Sequence, residues 1–152
     1  MLRFFLQPTP MAHWQSLIAE AAEQAGYHCD DQIQHYLAIT LDHFTTDHHL
    51  CSAVIALDFL LALSTIGQEG GGKVRQVGDE CLLLAGLFPE RAKRKQVPLE
   101  YFVRIGQQAY HLLTHAHFQW LYDQKLFNKL SEEFPNLINV LQTMRKINRP
   151  LH

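Results

Sequence analysis

Apolar residues recur at a spacing of three and four along most of this chain, and this period constrains the fold more than any other feature. Between positions 30 and 44 the recurring residues are Ile33, Tyr36, Leu37, Thr40, Leu41 and Phe44. Residues spaced in this way share one face of a helix and form a buried stripe. No segment alternates apolar and polar residues over the length of a half-buried strand. The sequence therefore predicts an all-α protein.

Capping residues and glycines divide the chain into about seven helices. Pro10 begins the first helix, Gly26 ends it, and Asp30 caps the second. The segment 48–66 is apolar almost all round, so it is predicted to be the buried central helix of a bundle. The other helices are predicted over about 73–87, over about 98–116, from about 118, and from Pro135 to about 147.

The chain has 152 residues, a length that favours a single domain over 1–152. The ends, 1–8 and 149–152, are predicted to be loosely ordered, and GQEGGGK at 67–73 is predicted to be a flexible loop. Gly78, Cys81 and Ala85 form a stripe of small residues, which we interpret as a site of close helix packing. The longest apolar run, 50–63, is shorter than the ~20 residues that a membrane span needs.

Charge is distributed unevenly along the chain. Residues 1–72 have a net charge of −7 and residues 73–152 a net charge of +5, which together give the −2 of the whole chain. An isoelectric point near 6.5 argues against a dedicated DNA-binding domain, for which values above about 9 are typical. We therefore predict no DNA partner, and RNA contact through the basic residues 91–95 is a weaker option than protein contact.

Cysteine usage indicates the compartment. Cys29, Cys51 and Cys81 are odd in number, widely separated and part of no CxxC motif. This pattern argues against a disulfide framework and a zinc knuckle, and a reducing cytoplasm is the simplest location.

Asp58 stands out because it interrupts the most apolar helix. Its helical neighbours include Cys51, Val54, Ile55 and Leu61, so its carboxylate is predicted to be buried. A buried carboxylate has to be paired, hydrogen-bonded or protonated. The favoured interpretation is structural, either an ion pair with an arginine or capping of a neighbouring helix end, and the alternative is a functional acid with a raised pKa in a cleft.

The histidines offer weak metal-binding candidates. His48 and His49 follow Asp47, a pattern better explained by a capped helix start. His111 and His115 lie four residues apart on one helix face, but two ligands are fewer than the three or four that zinc sites use. Neither ExxH nor HExxH occurs in the chain. The sequence thus predicts no metal, no cofactor and no catalytic residue.

One stretch resembles a known group of proteins. GDECLLLAGLFPERAKRKQVPLEYFVRIGQQAY at 78–110, together with ALDFLLAL at 56–63, is similar to a family of small uncharacterised all-helical bacterial proteins. The resemblance implies a bacterial, cytosolic, helical protein. It implies no activity and no catalytic motif.

The segment 88–110 combines aromatic and basic residues, which are typical interface anchors. The predicted interaction residues are Arg91, Lys93, Arg94, Lys95, Tyr101 and Arg104. Our first hypothesis is therefore a non-enzymatic interaction protein whose partner is another protein or a second copy of itself, as in a homodimer. The alternative is a metal- or small-ligand-binding helical protein, or an enzyme, that uses Asp58 and histidines.

Overall fold

The computed structural model describes residues 10–46, 68–90, 98–115, 118 and 122–148. Within these ranges six helices are present: α1 Pro10–Gln24, α2 Asp31–Thr46, α3 Gln68–Leu87, α4 Leu99–Leu112, α5 Gln124–Glu132 and α6 Phe134–Asn148. The described part of the chain contains no strand, so the all-α prediction is confirmed there. The predicted central helix at 48–66 lies outside the described residues.

The ends of α1 and α2 lie where the local sequence predicts them. Gly26 adopts a positive φ of 72°, a backbone conformation that glycine adopts without steric cost. Tyr27 N–H then donates to the Ala22 carbonyl at 2.9 Å, which satisfies a free acceptor at the end of α1. Asp30 Oδ1 accepts from Gln32 N–H at 2.7 Å and so caps the start of α2.

The flexible loop predicted over 67–73 is wrong for residues 68–73, because α3 begins at Gln68. A Cβ on Gly71 would lie 2.9 Å from the ring of Tyr122 and 3.1 Å from that of Phe118. Glycine at this position therefore lets the helix backbone contact two aromatic rings. This packing offsets the helix-propensity cost of glycine, which is about 1 kcal/mol per residue.

Among the described helices, α3 is the central one. It packs most extensively against α4 and α6, while α1 packs against α2 and α6. Gly78 faces α4, and a Cβ there would lie 2.5 Å from the ring of Tyr110. Cys81 and Ala85 are fully buried on the same helix. The predicted role of this small-residue stripe in close packing is confirmed.

The boundaries in the second half of the chain differ from prediction. Helix α4 ends at Leu112 rather than near 116. Within the described residues the next helix begins at Gln124, and residues 122 and 123, which the prediction placed inside a helix, are not helical. The side chain of Asp123 accepts from Leu126 N–H at 3.2 Å, and this cap fixes the start of α5. The chain then breaks at Glu133 and restarts as α6 around Pro135, as predicted. No helix in the described ranges is long and apolar enough to cross a membrane.

Candidate functional site

A carboxylate of α3 joins three helices. Tyr36 of α2 donates its hydroxyl to Asp79 Oδ1 at 2.5 Å, and Tyr110 of α4 donates to the same oxygen at 2.6 Å. These distances are at the short end for hydrogen bonds to a carboxylate. The second oxygen, Oδ2, lies 4.0 Å from Nε of Arg75, one turn earlier on α3. One oxygen is therefore fixed by two tyrosines, and the other faces a guanidinium without direct contact.

Aromatic rings surround this carboxylate on one side. The rings of Tyr36 and Tyr110 meet edge-on, with centroids 6.0 Å apart. Phe127 of α5 lies 5.6 Å from the Tyr36 ring and 5.8 Å from the Tyr110 ring. Because Gly78 has no side chain, the Tyr110 ring can pack against α3 directly beside Asp79. The three rings form one aromatic cluster, and the hydroxyls of its two tyrosines fix the position of Asp79 Oδ1.

Burial controls the ionisation of the three polar groups. It raises the pKa of the Asp79 carboxyl above its usual value of 3.8, although hydrogen bonds from both tyrosines and the charges of Arg75 and His43 lower it in part. Burial, followed by the charge of Asp79, raises the pKa of Tyr36 and of Tyr110 well above 10. Both phenols therefore remain protonated donors at neutral pH, and the ionised carboxylate is costly to keep in this site.

A cavity of about 350 Å³ opens between α2 and α3, with Asp79 in its wall. Its apolar wall residues are Ile39, Phe44 and Leu83, and its polar wall residues are Tyr36, Thr40, His43, Arg75, Gln76, Asp79 and Glu80. Since the carboxylate of Asp79 keeps 21% of its exposure, it is accessible to a molecule in this cavity. We call this cavity the α2–α3 pocket.

Glu80 adds a second carboxylate to the wall. Although it is 8% exposed, it is not isolated, because Gln76 Nε2 donates to its Oε1 at 3.1 Å. Thr40 is also buried, and its hydroxyl donates to the Tyr36 carbonyl. The α2–α3 pocket therefore presents acceptors and donors from both helices, next to an apolar surface. Such a mixture is characteristic of sites for small organic molecules.

Of the predicted metal candidates, the structure describes His111 and His115. His111 and His115 are exposed, with ring centroids 6.2 Å apart. In the described portion of the chain, no three His, Cys, Asp or Glu side chains are placed to hold a metal ion. His48, His49 and Asp58 lie outside the described residues, so the predictions made for them remain predictions.

The predicted interaction residues are partly described. Tyr101 and Arg104 are both exposed on α4, and Tyr101 keeps 40% of its surface. In the same segment, Phe102 and Tyr110 are buried in the core. The aromatic residues of 88–110 therefore divide between core and surface. Arg91, Lys93, Arg94 and Lys95 lie outside the described residues.

Sequence reasoning missed Asp79 as a site residue. The signal was present, since Asp79 and Glu80 immediately precede the apolar run CLLLAGL at 81–87. Like Asp58, this pair places carboxylates next to apolar helical neighbours, a position in which a carboxylate has to find a partner. Tyr36 was correctly placed on the packed face of α2, but as a core residue without a polar role.

Comparison with known proteins provides no relative. No protein-family model matches the chain, no curated protein is significantly similar to it, and no solved structure is significantly similar to it. The resemblance of 78–110 to small bacterial proteins remains a prediction.

Proposed function

We propose that this protein binds a small organic molecule in the α2–α3 pocket. The observation that supports the proposal most is the position of Asp79, a largely buried carboxylate in the wall of a cavity of about 350 Å³. Ligand pockets in proteins span roughly 300–1,000 Å³ and combine an apolar lining with a few fixed polar groups. The α2–α3 pocket meets both criteria. A perturbed carboxyl in a cleft is a further characteristic of functional sites.

The polar groups of the pocket are held in place before any ligand binds. Asp79 is fixed by Tyr36 and Tyr110, which belong to two other helices. Glu80 is held by Gln76 from the same helix. Because these side chains are already ordered, binding costs less conformational entropy than it would if they were free to change rotamer. Prior ordering of this kind is what a recognition site requires.

Gly72 allows the pocket to be blocked without disturbing the core. It lies in the pocket wall, and a Cβ added there would meet no atom within 4 Å. Gly72→Phe should therefore fill the cavity while α3 stays folded. Lys73→Phe is the matched control, because Lys73 is the next residue on the helix, is exposed, and is not part of the pocket wall.

The experiment is a screen of a chemically diverse fragment library by ligand-observed NMR, with both variants tested in parallel. We expect a set of fragments that bind the wild-type protein and Lys73→Phe but lose binding to Gly72→Phe. The proposal would be wrong if no fragment binds, or if every fragment binds Gly72→Phe as well as it binds the wild type. Circular dichroism of the variants verifies that the helices are retained.

We retain protein contact through 88–110 as a second candidate function, which the exposure of Tyr101 and Arg104 on α4 favours. Tyrosine and arginine are enriched among the residues that dominate interface energies. The test is sedimentation velocity of the wild type and of Tyr101→Ala/Arg104→Ala, with Lys125→Ala on α5 as the control. Loss of self-association in the double variant, with none in the Lys125→Ala control, would support this function. Identical sedimentation of all three proteins would contradict self-association through this segment.

We also propose that the protein is a bacterial cytoplasmic protein. Support comes from the dispersed cysteines, because Cys29 and Cys81 are both free thiols in the described part of the chain. Free thiols are typical of reducing compartments. Localisation of a fluorescently tagged chain would test this proposal, and a periplasmic or secreted signal would contradict it.

A further inference from the structure

The two oxygens of Asp79 have different roles in the α2–α3 pocket. Oδ1 accepts both tyrosine hydroxyls, so its hydrogen-bonding capacity is used within the protein. Among the described residues, Oδ2 makes one ion pair, with Arg75 at 4.0 Å, which is longer than a direct hydrogen bond. Arg75 keeps 54% of its side-chain exposure, so water competes for its charge. Oδ2 is therefore a fixed acceptor with room for a closer donor.

The charge of the wall favours a cation. Asp79 and Glu80 supply two carboxylates, whereas Arg75 is the single permanent cation among the described residues of the wall. Carboxylates therefore outnumber guanidinium groups by two to one among the described wall residues. Both carboxylates lie in a largely buried part of the wall, where charges interact more strongly than they do in water. An anionic ligand would be repelled by two carboxylates, while a cation would be attracted by them.

We propose that the ligand of the α2–α3 pocket is a small organic amine in its ammonium form, bound by Asp79 and Glu80 with its apolar part against Ile39 and Phe44. This inference rests on the proposed function. An ammonium group has three donors and no acceptor, which matches a wall that includes the carboxylate oxygen Asp79 Oδ2. The aromatic rings of Tyr36 and Phe44 line the same wall, and aromatic rings are additional partners for a cation.

The test uses three probes of similar size that differ in charge. Phenethylamine is cationic near neutral pH, phenethyl alcohol is neutral, and phenylpropionate is anionic. Isothermal titration of the wild-type protein should show the tightest binding for phenethylamine, at least tenfold tighter than for phenylpropionate. Equal or tighter binding of phenylpropionate would overturn the inference, as would the absence of phenethylamine binding.

Asp79→Asn identifies the contact. The amide oxygen of asparagine can accept from Tyr36 and Tyr110 as Oδ1 does, so the variant should fold, while the negative charge is removed. We expect phenethylamine to bind Asp79→Asn at least tenfold more weakly, with little change for phenethyl alcohol. Glu80→Gln provides a second variant, for which we expect a smaller loss. Unchanged phenethylamine affinity in both variants would overturn the inference.

Failure of this inference can be distinguished from failure of the proposed function. If fragments sensitive to Gly72→Phe are found and are neutral or anionic, the α2–α3 pocket is a binding site but not for amines. If no fragment is sensitive to Gly72→Phe, both proposals are wrong.

Discussion

Two aspartates, Asp30 and Asp79, connect helices in very different environments. Asp30 stands before α2, keeps 38% of its side-chain exposure, and accepts from Lys129 of α5 at 2.9 Å. Asp79 lies within α3 and accepts from tyrosines of α2 and α4. The hydrogen bond from Lys129 lowers the pKa of Asp30, whereas burial raises the pKa of Asp79. The ionised form of the side chain is thus stabilised at Asp30 and destabilised at Asp79.

The difference separates a structural contact from a candidate functional one. A lysine partner and a helix-capping hydrogen bond are enough to stabilise an exposed carboxylate such as Asp30. Surface ion pairs of this kind add little to the free energy of unfolding. A carboxylate among aromatic rings is costly unless a further positive charge approaches it. Asp79 also lies in the wall of a cavity that can admit such a charge. The comparison therefore indicates where a ligand would gain most from binding.

The largest expected effect comes from Asp79→Leu. This change leaves the buried hydroxyl of Tyr110 and the half-buried hydroxyl of Tyr36 without their acceptor, and a buried unpaired hydroxyl costs about 1–3 kcal/mol. We expect the free energy of unfolding to fall by about 2–4 kcal/mol in urea denaturation. Asp30→Leu is the matched control and should shift the urea midpoint much less. Equal shifts would mean that burial does not distinguish the two aspartates.

Removal of one tyrosine hydroxyl should have the next largest effect. Tyr110 is fully buried, so Tyr110→Phe loses a hydrogen bond to a charged group, at a cost of about 1.5–3 kcal/mol. Tyr36 is half-buried in the pocket wall, so water can replace part of its contact in Tyr36→Phe. Urea denaturation should therefore show a larger loss for Tyr110→Phe. A larger loss of stability for Tyr36→Phe would mean that the Tyr110 hydroxyl is not the one better protected from water.

The pH dependence of stability should have opposite signs at the two aspartates. The folded pKa of Asp79 is raised above 3.8, so its contribution is fully present below that value and is lost as pH rises through the folded pKa. The folded pKa of Asp30 is lowered, so its contribution is present above 3.8 and is lost as pH falls through the folded pKa.

Asparagine variants measure this difference directly. The stability of the wild type relative to Asp79→Asn should decrease from acid to neutral pH, while its stability relative to Asp30→Asn should increase. Urea denaturation of the three proteins across this range checks the prediction. If both stability differences changed with pH in the same direction, the pKa values of Asp30 and Asp79 would not be shifted in opposite directions.

The smallest effect is expected for the exposed ion pair. Lys129→Met removes the cationic partner of Asp30 but leaves the capping hydrogen bond from Gln32 N–H to Asp30. We expect a small loss of stability that disappears at high salt, because exposed charges are screened. A thermal melt with and without added salt measures it. A loss that persists at high salt would mean that Lys129 acts through packing.

Sequence patterns predict the parts of this fold that depend on neighbouring residues. Gly26 and Asp30 mark helix ends because their effects are local to one turn. The glycines at 70–72 mislead, because the contact of Gly71 with Phe118 and Tyr122 is distant in sequence. The spacing of apolar residues alone predicts which face of a helix is buried. It does not predict which other helix that face meets.

The candidate site depends on such distant contacts. Asp79 meets Tyr36 from 43 residues away and Tyr110 from 31 residues away. The sequence shows a carboxylate beside an apolar run and tyrosines on packed stripes, and these are the components of the site. Their convergence on one oxygen follows from the packing of α2, α3 and α4, which no local pattern encodes.

A crystal structure of the protein with phenethylamine would test the central claim most directly. We predict that the ammonium nitrogen lies about 3 Å from Asp79 Oδ2, inside the α2–α3 pocket, with Tyr36 and Tyr110 still bonded to Oδ1. Binding of phenethylamine elsewhere on the protein, with the pocket unchanged, would contradict the claim.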